Sequence, residues 1–124
     1  MTGNGRKKLG AFGERVAAIQ LESAGYRIVA RNWRCQTGEI DLIAQKEGVL
    51  HFVEVKTRKG RQSGSPEEAL TPRKSQQLTQ LALRYIAEYE LDDADWQIDL
   101  VAVELDAAGK VLRIDHIPNV VLGW

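Results

Sequence analysis

Apolar positions along this chain follow two periods, and the switches between them outline its elements. Over residues 9–24 they recur at helical spacing, with Phe12, Val16, Ala17 and Ile19 on one stripe and Gly25 as a stop, which predicts a first helix. Residues 26–33, with apolar Tyr26, Ile28 and Val29 beside polar Arg27 and Arg31, read as a first strand. Residues 40–57 are rich in apolar and β-branched side chains on both sides of Gly48, the pattern of a two-stranded hairpin. Residues 58–65 hold no apolar residue and form a basic, Gly/Ser-rich loop. Ser65-Pro66-Glu67-Glu68 carries helix-start chemistry, with Ser65 as N-cap, Pro66 at the first helical position and Glu68 closing a capping box. A second start at Thr71-Pro72 opens a long helix to residue 91, whose apolar face is Leu78, Leu81, Ala82, Tyr85, Ile86 and Tyr89. An acidic turn at 92–95 precedes a strand over 96–105. A turn at 106–109 leads to a last strand over 111–117.

The order α-β-β-β-α-β-β predicts an α/β fold, a mixed central sheet flanked by two long helices. Its 124 residues show no repeat and no linker, so a single domain over 1–124 is expected, large enough for a core without metal or disulfide staples. Cys35 is the only cysteine, which rules out an intrachain disulfide and makes a reducing cytoplasm the natural compartment. The basic N-terminus runs into no apolar segment, and no 18-residue apolar run exists, so neither a signal peptide nor a membrane partner is expected.

The net charge of zero hides an asymmetry. Residues 1–61 hold 12 Lys/Arg against 6 Asp/Glu, a balance of +6, while residues 62–124 hold 5 against 11, a balance of −6. The basic half contains the hairpin, and a basic face there would attract a nucleic acid.

The hairpin also carries the candidate chemistry. Asp41, Glu54 and Lys56 interrupt apolar runs, where unpaired charge is costly and a task for each is implied. With residues 46–49 as a four-residue loop, Gln45 opposes Leu50, Asp41 opposes Glu54 and Glu39 opposes Lys56. A slip of one residue would send Asp41 and Glu54 to opposite faces. Opposed carboxylates destabilise a sheet, and a divalent cation removes that penalty. Two carboxylates with a backbone carbonyl such as that of Val55 suit a hard ion, Mg²⁺ or Mn²⁺. Such an ion activates water and stabilises charge on a phosphoryl oxygen, with Lys56 placed to orient the water or neutralise that charge. Phosphodiester hydrolysis fits these parts. Arg58, Lys59 and Arg61 would track a phosphate backbone, with Lys74, near the start of the long helix, as a further phosphate contact.

Asp41, thirteen residues on to Glu54-Val55-Lys56, resembles the PD-(D/E)xK nucleases, whose core is restriction-endonuclease-like. The element order is similar to that of the archaeal Holliday junction resolvases. The runs Gly13-Glu14, Arg31-Asn32-Trp33-Arg34, Gly38-Glu39-Ile40-Asp41-Leu42-Ile43 and Phe52-Val53-Glu54-Val55-Lys56-Thr57-Arg58 look like the YraN family of uncharacterised bacterial proteins. So do Glu68-Ala69-Leu70-Thr71-Pro72-Arg73-Lys74 and Ile98-Asp99-Leu100-Val101. The resemblance implies metal ligation by Asp41 and Glu54, a catalytic Lys56, a supporting first-helix glutamate at Glu14, and a DNA substrate of branched or damaged form. It implies a dimer as well. Ile40 stands where the superfamily has proline before its first acid.

The remaining polar residues receive plainer expectations. Glu39 is read as a partner of Lys56, His51 as a packed histidine, and His116 as structural and without a partner cluster. Asp99 is expected to pair with an arginine or the first helix, and Cys35 has no histidine partner that would make it a nucleophile.

Overall fold

The computed structural model describes residues 2–60 and 65–120, with the side chains of residues 2–6 and 69 outside that description. Helix α1 (Thr2–Ser23) is followed by β1 (Arg27–Cys35), β2 (Gly38–Lys46) and β3 (Val49–Lys59). A 3₁₀ turn (Pro66–Ala69) and helix α2 (Pro72–Glu88) lead to β4 (Asp95–Leu105) and β5 (Val111–Ile117). The five strands lie in sequence order in one sheet. Among the described residues only β3 and β4 pair in parallel, so the sheet is mixed, and α2 supplies the crossover that parallel pairing requires. No helix among the described residues is long and apolar enough to cross a membrane.

Alternation along the strands divides the core into two layers. Leu50, Phe52 and Ile98 pack with Leu78, Leu81, Ala82, Tyr85 and Ile86 of α2. Val53, Val55, Val101 and Val103 pack with Ala17, Ala18 and Leu21 of α1.

Several boundaries differ from expectation, each for a local reason. Helix α1 starts at Thr2, because Arg6, Lys7, Lys8 and Leu9 are good helix formers that carry the helix through Gly3 and Gly5. Its buried face is Ala17, Ala18 and Leu21, while Ile19 is 63% exposed. Ala18 and Leu21 thus meet the sheet where Ile19 was expected to, while Phe12 and Val16 pack against the same layer. The 3₁₀ turn receives no side-chain cap from Ser65, whereas Thr71 caps α2 by accepting from the Lys74 N–H at 3.2 Å. Helix α2 stops at Glu88 rather than 91, with Glu90 in the left-handed region at φ 54° and Tyr89 half exposed.

The hairpin connection is shorter than four residues. Lys46 pairs with Val49, leaving Glu47 and Gly48 as a two-residue turn with φ 52° and 79°. Two successive positive φ values define the type I′ turn, whose twist matches that of the strands it joins. The expected register survives the shorter turn, because Gln45 still pairs with Leu50.

Candidate active site

The β2–β3 ladder runs from Lys46↔Val49 to Leu42↔Val53 and ends there, one position short of Asp41 and Glu54. Beyond that point β3 continues on β4, with Glu54 beside Leu100 and Lys56 beside Ala102. The Val55 N–H, facing the gap, donates to Asp41 Oδ2 at 2.8 Å, so a side chain takes a bond that a ladder carbonyl would otherwise accept. Asn32, on the β1 side of Asp41, adopts φ 50°, a conformation Asn tolerates better than most residues. The alternation of β2 breaks at the same place: Ile40 and Ile43 both reach the α2 layer, and Leu42 between them reaches the α1 layer.

Asp41 therefore projects into a cleft where two strands part, and carboxylates gather around it. One carboxylate oxygen each from Glu14, Glu39 and Asp41 lies within 4.8 Å of the others. Glu54 is 3% exposed and close enough to Asp41 for a carboxyl–carboxyl hydrogen bond. Burial and then the charge of Glu54 push the Asp41 carboxyl up to about 8, assisted by Glu14 and opposed by the Val55 N–H.

Cations close the site from the other side. Lys56 Nζ lies 3.5 Å from Glu54 Oε2, and Lys74 Nζ lies 3.4 Å from the same oxygen. Lys56 follows Glu54 by two residues on one strand face, while Lys74 arrives from the first turn of α2. A hollow of about 490 Å³ lies beside Lys56, between Leu9 and Gly10 of α1 and the β3 residues 55–59. Two buried polar atoms at this edge, Thr57 Oγ1 and Arg58 Nε, have no hydrogen-bond partner among the described residues.

The structure thus brings Glu14, Asp41, Glu54, Val55, Lys56 and Lys74 together, with Arg58 and Lys59 following on β3. Arg61 lies outside the described residues. Glu39 requires a correction: it pairs not with Lys56 but with Arg34, whose Nε donates at 2.6 Å, and with Asn32 at 3.5 Å. The ladder that would have set Glu39 opposite Lys56 has already ended. Asn32, part of the motif run Arg31-Asn32-Trp33-Arg34, takes a role that the sequence does not announce. Its Nδ2 donates to Glu14 at 2.9 Å as well as facing Glu39, so it fixes the glutamates beside Asp41. The available signal was an asparagine in the middle of a strand, a position where that residue is depleted.

A second correction concerns Asp99 and His116, on the α1-facing side of the sheet. Among the described residues Asp99 hydrogen-bonds to neither an arginine nor α1, and His116 does have partners. Asp99 Oδ2 lies 2.7 Å from both His51 Nδ1 and His116 Nε2. The parallel β3–β4 and antiparallel β4–β5 registers bring these three strands' residues together.

An acidic cleft opened by a parting hairpin, with lysines over its buried carboxylate, defines a polar site on an α/β scaffold. Comparison with known proteins then places the chain: residues 13–103 match the model of the uncharacterised protein family UPF0102. A UPF0102 protein of Roseiflexus castenholzii is 43% identical over 98% of both chains. One from Symbiobacterium thermophilum is 48% identical over 91% of this chain and 95% of its own. One from Beutenbergia cavernae is 46% identical over 90% and 94%. The chain belongs to the UPF0102 family, the YraN proteins that its motifs resemble.

Proposed function

We propose that the protein is a metal-dependent DNA endonuclease built on a restriction-endonuclease-like core. One observation carries the reading: Asp41 and the buried Glu54 are held against each other where β2 and β3 part, with a Glu14 oxygen beside Asp41 and two lysines on Glu54. Side by side, oxygen-only donors of this kind fit a hard divalent cation, which would offset both the burial and the Glu54 repulsion that raise Asp41. Asp41, Glu54 and the Val55 carbonyl would hold Mg²⁺ or Mn²⁺, with Glu14 supporting the ion or its water. Bound there, the ion supplies an activated water and charge neutralisation at a phosphoryl oxygen. Lys56 orients the nucleophile or neutralises the charge that develops, and Lys74 shares that field. Arg58, Lys59 and Arg61 hold the phosphate backbone, with branched or damaged DNA as the substrate form the family resemblance implies.

Purified protein with Mg²⁺ or Mn²⁺ is expected to nick branched DNA, and Asp41→Ala, folded by circular dichroism, is expected to reduce nicking to background. Equal cleavage by the two proteins overturns the reading.

A second reading rests on Lys74. With Lys56 and Lys74 both on Glu54, that carboxylate is neutralised without an ion, and the fold could serve as a nucleic-acid-binding accessory module. It predicts salt-sensitive DNA binding that survives Lys56→Ala, with no cleavage in any metal.

A further inference from the structure

The second cluster lies on the opposite face of the sheet from Glu54. His51 is three residues before Glu54 on β3, so strand alternation turns it toward α1. Asp99 is fully buried and His51 is 7% exposed, while His116 is partly open to solvent. Burial alone would raise the Asp99 carboxyl. Hydrogen bonds from His116, the Asn119 N–H, Gln97 and His51 outweigh it and hold the group down to about 2. An ionised carboxylate only accepts, so both imidazoles donate to it.

The two oxygens of Asp99 are used differently. Oδ1 is fixed by Gln97 Nε2 at 2.8 Å and the Asn119 N–H at 3.0 Å. Oδ2 receives both rings, each at 2.7 Å. Tyr26 packs edge-on against His51 and His116, with centroids at 4.9 and 5.4 Å, and limits how the rings can swing. Two imidazole nitrogens and one carboxylate oxygen converging at one point, with the second oxygen anchored, form the donor set and supporting hydrogen bonds of a transition-metal site.

We propose that His51 Nδ1, Asp99 Oδ2 and His116 Nε2 form a three-ligand site for a cation of the Zn²⁺ class, with water in the fourth position. Each ring moves its proton to its other nitrogen and presents a lone pair, so neutral imidazoles bind without losing a net proton. Tetrahedral ligands at Zn–N distances of about 2.0–2.1 Å stand about 3.3 Å apart, so each ring retreats about 0.6 Å from Asp99. The partly exposed His116 supplies the path of entry. Nitrogen donors favour Zn²⁺ over Mg²⁺, whereas the carboxylates around Asp41 favour the hard ions, so donor chemistry separates the two sites. The ion would join β3, β4 and β5.

The test uses the full chain, freed of metal by a chelator and titrated with Co²⁺ as a spectroscopic probe. One equivalent is expected to produce the visible d–d absorption of a four-coordinate site, abolished by Zn²⁺ and unaffected by excess Mg²⁺. The band is expected to persist in Asp41→Ala and to disappear in His116→Gln, whose partly exposed position lets the metal-free variant keep the wild-type circular dichroism spectrum. Gln97→Leu, which removes one of the two hydrogen bonds on Oδ1 without removing a ligand, is expected to weaken Co²⁺ binding about tenfold. No absorption, absorption that survives His116→Gln, or absorption lost in Asp41→Ala overturns the proposal. The last outcome would assign the ion to the acidic cleft instead, so this test and the cleavage assay fail separately.

Discussion

Asp41 is a carboxylate placed where its charge costs stability. Its folded-state value is raised from 3.8 to about 8, so the folded protein binds a proton that the unfolded chain releases between those limits. The stabilisation is complete below pH 4 and is lost as pH rises through 8. Allowing for partial solvent access, this is on the order of 3 kcal/mol. Urea denaturation from pH 4 to 8 is expected to show metal-free stability falling with pH, and the slope flattening in Asp41→Asn. An unchanged slope in that variant would remove the raised carboxyl from the account. Asp99 does not confuse the measurement: its value is depressed, so its contribution is present above pH 3.8 and lost as pH falls through about 2. Asp41, Glu54 and Lys56 were readable from sequence because charged residues in apolar strands are anomalous on their own. Asp99 was equally anomalous, yet its partners were not readable, because His51 is 48 residues away and His116 17 away, on other strands.

At the scale of elements, the hairpin was legible because its register depends on a two-residue period and a turn, both local. The expected four-residue loop and the observed two-residue turn give the same register, because shortening a hairpin loop symmetrically by two residues leaves every pair unchanged. Its fraying was not legible, because the left-handed Asn32 and the Val55–Asp41 bond belong to β1 and β3. Nor was the seating of α1, which turns on one glycine. A Cβ on Gly13 would stand 1.8 Å from Thr57 Oγ1 and 3.0 Å from Thr57 Cβ, so α1 must lift from β3 to admit it. Gly13→Ala would gain helix propensity on an exposed helix, but here overpacking dominates, with an expected loss of about 2 kcal/mol. Thr57→Ala removes the nearer clash, so the double variant is expected to recover about 1 kcal/mol relative to additivity in a chemical-denaturation cycle. Simple additivity would mean that α1 does not sit on Thr57 as described. Glu14 follows Gly13 directly, so the same contact sets how far that carboxylate stands from Asp41.

Over the whole molecule, the zero net charge results from how the two halves spend their charges. Three acids of the second half, Glu67, Glu104 and Asp115, gather around Arg113, with Glu67 Oε2 and Glu104 Oε1 at 3.0 and 2.7 Å. That network fastens the 3₁₀ turn to β4 and β5. The basic residues that follow the site along β3 are oriented otherwise: Lys59 is exposed, and Arg58 donates only to the Thr57 carbonyl among the described residues. A phosphate backbone entering beside Lys56 would meet those cations before the acidic half. Affinity for a DNA duplex, measured by fluorescence anisotropy, is therefore expected to fall steeply between about 50 and 200 mM salt. Lys59→Ala is expected to reduce the slope of log affinity against log salt by about 0.9, the value for one lost phosphate contact. Arg113→Ala, which disturbs a larger charge network remote in role from the cleft, is expected to lower the melting temperature and leave that slope unchanged. The contrast separates a backbone path along β3 from a diffuse attraction between DNA and the whole basic half. If every lysine or arginine lowered the slope equally, only the diffuse attraction would stand. The charge asymmetry visible in the sequence would then describe composition without describing a track.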